Sequence, residues 1–293
     1  MLNNGWPSIM WHLYDYYLQP AAGYFGTKKA CEPLHIQYSY NDRSVVVVNG
    51  LLHDVPHLTA EATWYDFTLH PLFNHKARLT SAADSVQKIV SLPDTPAPTD
   101  VTFVRLNLTD DTGRLVSTNF YWLPRAPSTF DWSHEQAKLN PYYTAVGSYE
   151  NLTQLNRLPS VRLAATAAVL HPPEGGEVSV TVRNPSGHLG FQIHLALVDR
   201  DSGEEILPVL WEDNYFSLMP GESCTVRARY DSAADAARSF LKISGLEHRT
   251  AVPARSRHIA SPLVNRYPEA CYHVFSDRAD SLQQHDRTIG PNP

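Results

Sequence analysis

The sequence predicts a mainly β protein built of two antiparallel β-sandwiches in tandem. Three observations carry that expectation. Short runs with apolar residues at every second position recur along residues 33–125 and again along 141–246, which is the period of a half-buried strand. Turn-forming residues separate these runs at the close spacing of an antiparallel sandwich. Residues 1–32 depart from the pattern and read strand, loop and helix.

The opening segment, 1–32, comes first. Leu2, Asn3 and Asn4 end a short strand, and Trp6-Pro7-Ser8 forms the turn, because proline fixes its own φ and cannot donate to a ladder. Residues 24–30 form a helix with Lys28 and Lys29 in its last turn, where cations suit the helix dipole. A strand buried on both faces needs neighbours. The segment is therefore expected to be poorly anchored alone, with Trp6, Ile9 and Trp11 exposing apolar surface.

In the first sandwich, 33–125, strands are expected at 36–40, 44–49, 58–64, 101–108 and 116–123. A proline-rich loop covers 91–98, and Asp110, Asp111 and Gly113 make the last turn. A linker follows over 126–140, with Pro127 and a Ser/Thr cluster. In the second sandwich, 141–246, strands are expected at 161–165, 178–182, 191–198 and 224–230, with Pro220-Gly221 as a turn. Residues 247–293 keep no period, carry Arg but no Lys, and read as a disordered tail.

Composition excludes several function classes. The chain has 293 residues, a net charge of −6 and 43% hydrophobic residues, enough for about two domains with real cores. An acidic balance argues against a nucleic-acid partner, whose footprint is a basic face. No apolar run approaches the length of a membrane helix, so no membrane partner is expected. Cys31, Cys224 and Cys271 are odd in number and widely spaced, which suggests free or buried thiols rather than a disulfide framework or metal site. The histidines show no His-Glu-x-x-His spacing. Asn107-Leu-Thr109 and Asn151-Leu-Thr153 match the glycosylation acceptor pattern, one that chance often produces.

Three stretches carry a family resemblance. Leu2-Asn-Asn-Gly-Trp-Pro7, with Trp11-His-Leu-Tyr-Asp15 and Tyr24-Phe-Gly26, resembles the eighth barrel strand and following helix of glycoside hydrolase family 2. Asn119-Phe-Tyr-Trp-Leu123 resembles the end of that family's penultimate sandwich. Ile206-Leu-Pro-Val-Leu-Trp-Glu-Asp-Asn-Tyr-Phe-Ser-Leu-Met-Pro-Gly-Glu222 resembles its last. The likeness covers about residues 1–246, in the family's order, and is nearest to the exo-β-D-glucosaminidase and β-mannosidase branch. It implies two immunoglobulin-like sandwiches preceded by the last βα unit of a truncated (β/α)8 barrel. It also implies a parent enzyme that removes terminal β-linked glucosamine from chitosan oligosaccharides, or β-mannoside, by the retaining route. The implied partner is a carbohydrate and no cofactor is needed.

Retaining hydrolysis uses two carboxyl groups about 5–5.5 Å apart. The family's two glutamates lie on earlier barrel strands, so the catalytic pair is expected upstream of this chain, leaving it inactive alone. Asp15 is read as a structural residue with local partners. Trp6, just past the end of a barrel strand, is the candidate to stack on the sugar, and Asn3 and Asn4 are candidates to bond its hydroxyls. For 211–216 a sandwich corner is expected, with Asp213 and Asn214 making turn bonds and Tyr215 filling core, ahead of a sugar contact by Trp211 and Asp213. A non-catalytic carbohydrate-binding or adhesion module is the alternative, and it should show an exposed aromatic row on a strand face.

Overall fold

The computed structural model describes residues 13–133, 145–170, 176–230 and 239–245. The turn at Trp6 and the tail over 247–293 lie outside them. The described chain opens with one helix, α1 (Ala22–Ala30), and continues almost entirely in antiparallel strands.

The first sandwich comprises β1 (Leu34–Tyr38), β2 (Ser44–Asn49), β3 (Val55–Tyr65), β4 (Pro71–Ser81), β5 (Ser85–Ser91), β6 (Val101–Thr109) and β7 (Leu115–Pro124). One sheet runs β1-β2-β5, the other β4-β3-β6-β7. The valine run of β2 explains its place. β-branched side chains are stiff and favour a pleated surface, and alternation turns Val45 and Val47 inward to full burial. From the facing sheet, Ala60 and Ala62 of β3 lie opposite Leu108 and Leu106 of β6, small against large, so the layers interdigitate. Asn49 is buried, and its Nδ2 donates to the carbonyls of His53, Ser81 and Ala82. That satisfies three loop acceptors at one point. The sequence expectation lacked β4 and β5.

A short ribbon joins the sandwiches, pairing β8 (Thr129–Asp131) with β9 (Ala145–Ser148). Its first strand falls within the expected linker, 126–140, and its second within the span expected for the second sandwich. The second sandwich then takes a 3-10 turn (Thr153–Arg157), β10 (Ala164–Leu170), β11 (Gly176–Arg183), β12 (Gly190–Asp199), β13 (Val209–Trp211), β14 (Phe216–Leu218), β15 (Ser223–Tyr230) and β16 (Ser239–Ser244). Its sheets run β10-β11-β15-β13 and β14-β12-β16. Val178, Val180 and Val182 of β11 face Ile193, Leu195 and Leu197 of β12 across the core. The first strand begins at Ala164 rather than at 161; Val161 and Leu163 are buried just before it. Gly176 opposes Tyr230, and a Cβ there would meet the ring at 2.2 Å, so only glycine permits that register.

The two sandwiches share an apolar seam. Val101 and Phe103 of β6 pack with Leu189, Phe191 and Met219, and Trp122 meets Phe191 edge-on at 5.2 Å. Beside the seam, Arg105 Nη2 donates to both Glu222 oxygens at 3.0 Å. Glu222 Oε2 also accepts Met219 N–H at 2.9 Å.

Candidate functional site

Trp6, Asn3 and Asn4, with the neighbouring Trp11 and His12, lie outside the described residues, so the description enters this segment at Leu13. There Asp15 acts as the staple of a tight loop. Its Oδ1 accepts the amides of Tyr17 and Gln19 at 2.8 and 2.9 Å, while Leu18 takes a left-handed φ of 66°. A short carboxylate that bonds the backbone two residues on favours this kind of turn.

The expectation that this segment is poorly anchored is corrected from residue 13 onward. α1 buries Phe25, 4% exposed, in the core of the second sandwich beside Trp211 and Tyr215. Phe25 lies 5.0 Å from the Tyr24 ring and 6.0 Å from Tyr215. The helix end is tied polar group by polar group. Lys28 Nζ donates to the Glu212 carbonyl at 2.7 Å. Lys29 Nζ sits 3.4 Å from Asp213 and 3.8 Å from Glu32. Glu32 in turn accepts Ser117 Oγ–H at 2.8 Å. A chain of contacts thus runs from the second sandwich through α1 to the first.

Residues 211–216 form the expected corner. Trp211 is 5% exposed and belongs to the core. Asn214 is buried; its Oδ1 accepts Leu195 N–H and its Nδ2 donates to the Leu195 carbonyl, both at 2.8 Å. Asp213 Oδ1 accepts the Asn214 amide. A cleft of about 380 Å³ lies between this corner and α1, lined by Tyr14, Tyr24, Lys28, Glu177 and Arg227 among others.

The electrostatic centre of the joint is Glu205. Gln19 Nε2 donates to Glu205 Oε2, and Glu205 Oε1 lies 3.9 Å from His194 Nε2. His194 stacks on Tyr215 at 4.6 Å and 18°. Burial lifts the Glu205 carboxyl to about 7; Lys242 opposes the rise and Asp15 adds to it. Burial, aided by Lys242, lowers His194 to about 4. Burial and the nearby Glu205 and Asp15 raise the Tyr215 hydroxyl to about 12.

Two carboxyls in unlike environments are the pattern of an acid/base couple. Here both groups are spent on structure, since Asp15 holds two backbone amides and Glu205 holds Gln19. Among the described residues there is no cluster of three His, Cys, Asp or Glu able to hold a metal, and no described helix is long and apolar enough to cross a membrane. Cys31 and Cys224 are free thiols. The Glu205–Gln19 joint was missed from sequence, because its partners stand 186 residues apart and neither sits in a motif.

Comparison with known proteins fits this geometry. Residues 41–126 match the family described as mannosidase Ig/CBM-like domain. Residues 141–248 match the exo-beta-D-glucosaminidase Ig-fold domain. The exo-beta-D-glucosaminidase of Streptomyces avermitilis is 42% identical over 241 residues, covering 80% of this chain and 26% of that protein. That of Amycolatopsis orientalis is 36% identical over 261 residues, covering 87% of this chain and 25% of the relative. The crystal structure of Amycolatopsis orientalis exo-chitosanase CsxA superposes with a TM-score of 0.79 at 34% identity, over 87% of this chain and 30% of that one. The chain spans about a quarter of the length of these curated relatives.

The fold and these matches define the class: the two sandwiches are immunoglobulin-like domains of glycoside hydrolase family 2. Within that class the second sandwich matches the Ig-fold domain of exo-beta-D-glucosaminidases, and the relatives above carry that name.

Proposed function

We propose that this chain is the C-terminal supporting part of a retaining exo-β-D-glucosaminidase acting on terminal β-linked glucosamine of chitosan oligosaccharides. The observation that carries this reading is the identity of 42% to a named exo-beta-D-glucosaminidase across both sandwiches together. Residues 1–32 are then the last βα unit of the catalytic barrel, with Trp6 the stacking face and Asn3 and Asn4 the hydroxyl contacts of the sugar site. The glutamate pair comes from the rest of the barrel. The work of the described residues is mechanical. They seat α1 by Phe25, Lys28 and Lys29.

The alternative, a free carbohydrate-binding module, predicts an aromatic row on a strand face. Among the described residues the exposed aromatics Tyr16, Tyr17, Tyr40, Phe130, Trp132 and Tyr149 sit at turns or on the short β8–β9 ribbon. Neither sandwich face carries such a row.

The test is hydrolysis of aryl β-D-glucosaminide and β-D-mannoside. The expected result is no turnover by this chain alone. Extended upstream to the length of its relatives, the protein should cleave the glucosaminide in preference. Turnover by the isolated chain that survives Asp15→Asn would overturn the supporting role.

A further inference from the structure

Glu205 sits where a loop closes on a sheet edge. Its backbone bridges Val198 of β12, and its side chain points to the 13–20 loop, whose Gln19 it holds. Among the described residues, Asp15 and Gln19 face it from the loop, His194 from β12, Lys242 from β16 and Tyr215 from the corner. Its side chain is 23% exposed and that of His194 is 20% exposed, so the closed loop keeps water from most of the carboxyl. His194 is neutral at neutral pH and offers no positive charge there. Lys242 and the Gln19 hydrogen bond favour the charged carboxylate, while burial and Asp15 oppose it and prevail.

We propose that Glu205 is a positioning residue for the 13–20 loop and acts as a proton-sensitive latch. The loop lies closed over a protonated Glu205 and opens more often once that carboxyl ionises, because closure sets the charge away from water beside Asp15. The opened state returns Glu205 to solvent, so ionisation pulls the equilibrium toward opening. That agrees with the carboxyl's elevation to about 7 in the closed state. A His194 exposed by opening regains its ordinary value of 6.5 and pulls the opposite way, which halves the rise between pH 6.5 and 8. With an open-state value of 4.5 for Glu205, net opening should increase about twofold between pH 6.5 and 8, then level off.

Hydrogen exchange on the chain as it stands tests the latch without reference to catalysis. The amides of Tyr17 and Gln19, corrected for the intrinsic pH dependence of exchange, should lose protection about twofold between pH 6.5 and 8 in the wild type. In Glu205→Gln, an uncharged isostere, they should show no such loss. Equal loss in both proteins, or constant protection in the wild type, overturns the proposal. Should the variant not fold, the wild type decides by itself. Carbon NMR of the Glu205 carboxyl should give a titration midpoint between pH 6 and 8, and a midpoint near 4.5 refutes the latch.

Discussion

Replacing Phe25 with Ala asks whether α1 is a structural part of the second sandwich. Phe25 is 4% exposed and lies against Trp211 and Tyr215. Removing a buried phenylalanine costs about 3–5 kcal/mol through lost transfer energy and the cavity left behind. The position favours the lower end, because an open cleft of about 380 Å³ borders α1 and lets neighbours relax. A loss of about 3 kcal/mol is therefore expected. If the coupled sandwiches melt as one unit, this lowers Tm by roughly 6–12 °C, at about 2–4 °C per kcal/mol for a domain of that size. Urea unfolding followed by circular dichroism, with calorimetry in parallel, measures both quantities. Phe25→Leu should recover more than half. Deleting residues 1–30 should lower Tm as well, opposite to what the sequence alone suggests. A Phe25→Ala protein within about 0.5 kcal/mol of wild type, the scatter of an ordinary surface substitution, would refute the packing.

Asn214→Ala strands the buried Leu195 amide and carbonyl, and at about 1–3 kcal/mol for each unpaired group it should cost on the order of 3 kcal/mol in urea unfolding. Arg105→Met removes the tie to Glu222, which is only partly buried, so a loss of about 1–2 kcal/mol is expected in urea unfolding. Stability against pH carries two opposed limbs. Glu205, raised from 4.5 to about 7, adds stability that is complete below pH 4.5 and lost as pH rises to 7. His194, lowered from 6.5 to about 4, adds stability that is complete above pH 6.5 and lost as pH falls to 4. The limbs cancel between pH 4.5 and 6.5, so wild-type urea midpoints should be flat there, whereas Glu205→Gln should gain stability steadily across the window. Parallel profiles would remove Glu205 from the account.

Much of the fold was legible because several long strands bury one face. The alternation of Val178, Val180 and Val182, or of Val45 and Val47, can be read without a structure. β4 escaped notice because it runs along a sheet edge and its apolar residues Leu72, Phe73 and Leu79 are only half-buried. β13, β14 and the β8–β9 ribbon are too short to show a period. The corner at 211–216 was legible through Asp213 and Asn214, which favour turns. The seating of α1 was not. Phe25 is its only buried residue, so no stripe announces a packed face, and what it packs against arrives nearly two hundred residues later. The same long separation hid Glu205 from Gln19. Of the predicted sugar contacts, Trp6, Asn3 and Asn4 lie outside the described residues.

The seam between the sandwiches has a consequence for the connection between them. Phe103, Phe191 and Trp122 pack the two halves together, and β8 pairs with β9 on either side of residues 132–144. Among the described residues the contacts of that seam all lie outside this connection, so packing holds the halves together. A nick at any bond within it would leave both halves docked, as a non-covalent complex that survives until denaturant dissolves the seam. Two separately expressed halves, split there, should reassemble by mixing, and a tag or an extra loop grafted at that point would ride along without altering how the halves fit.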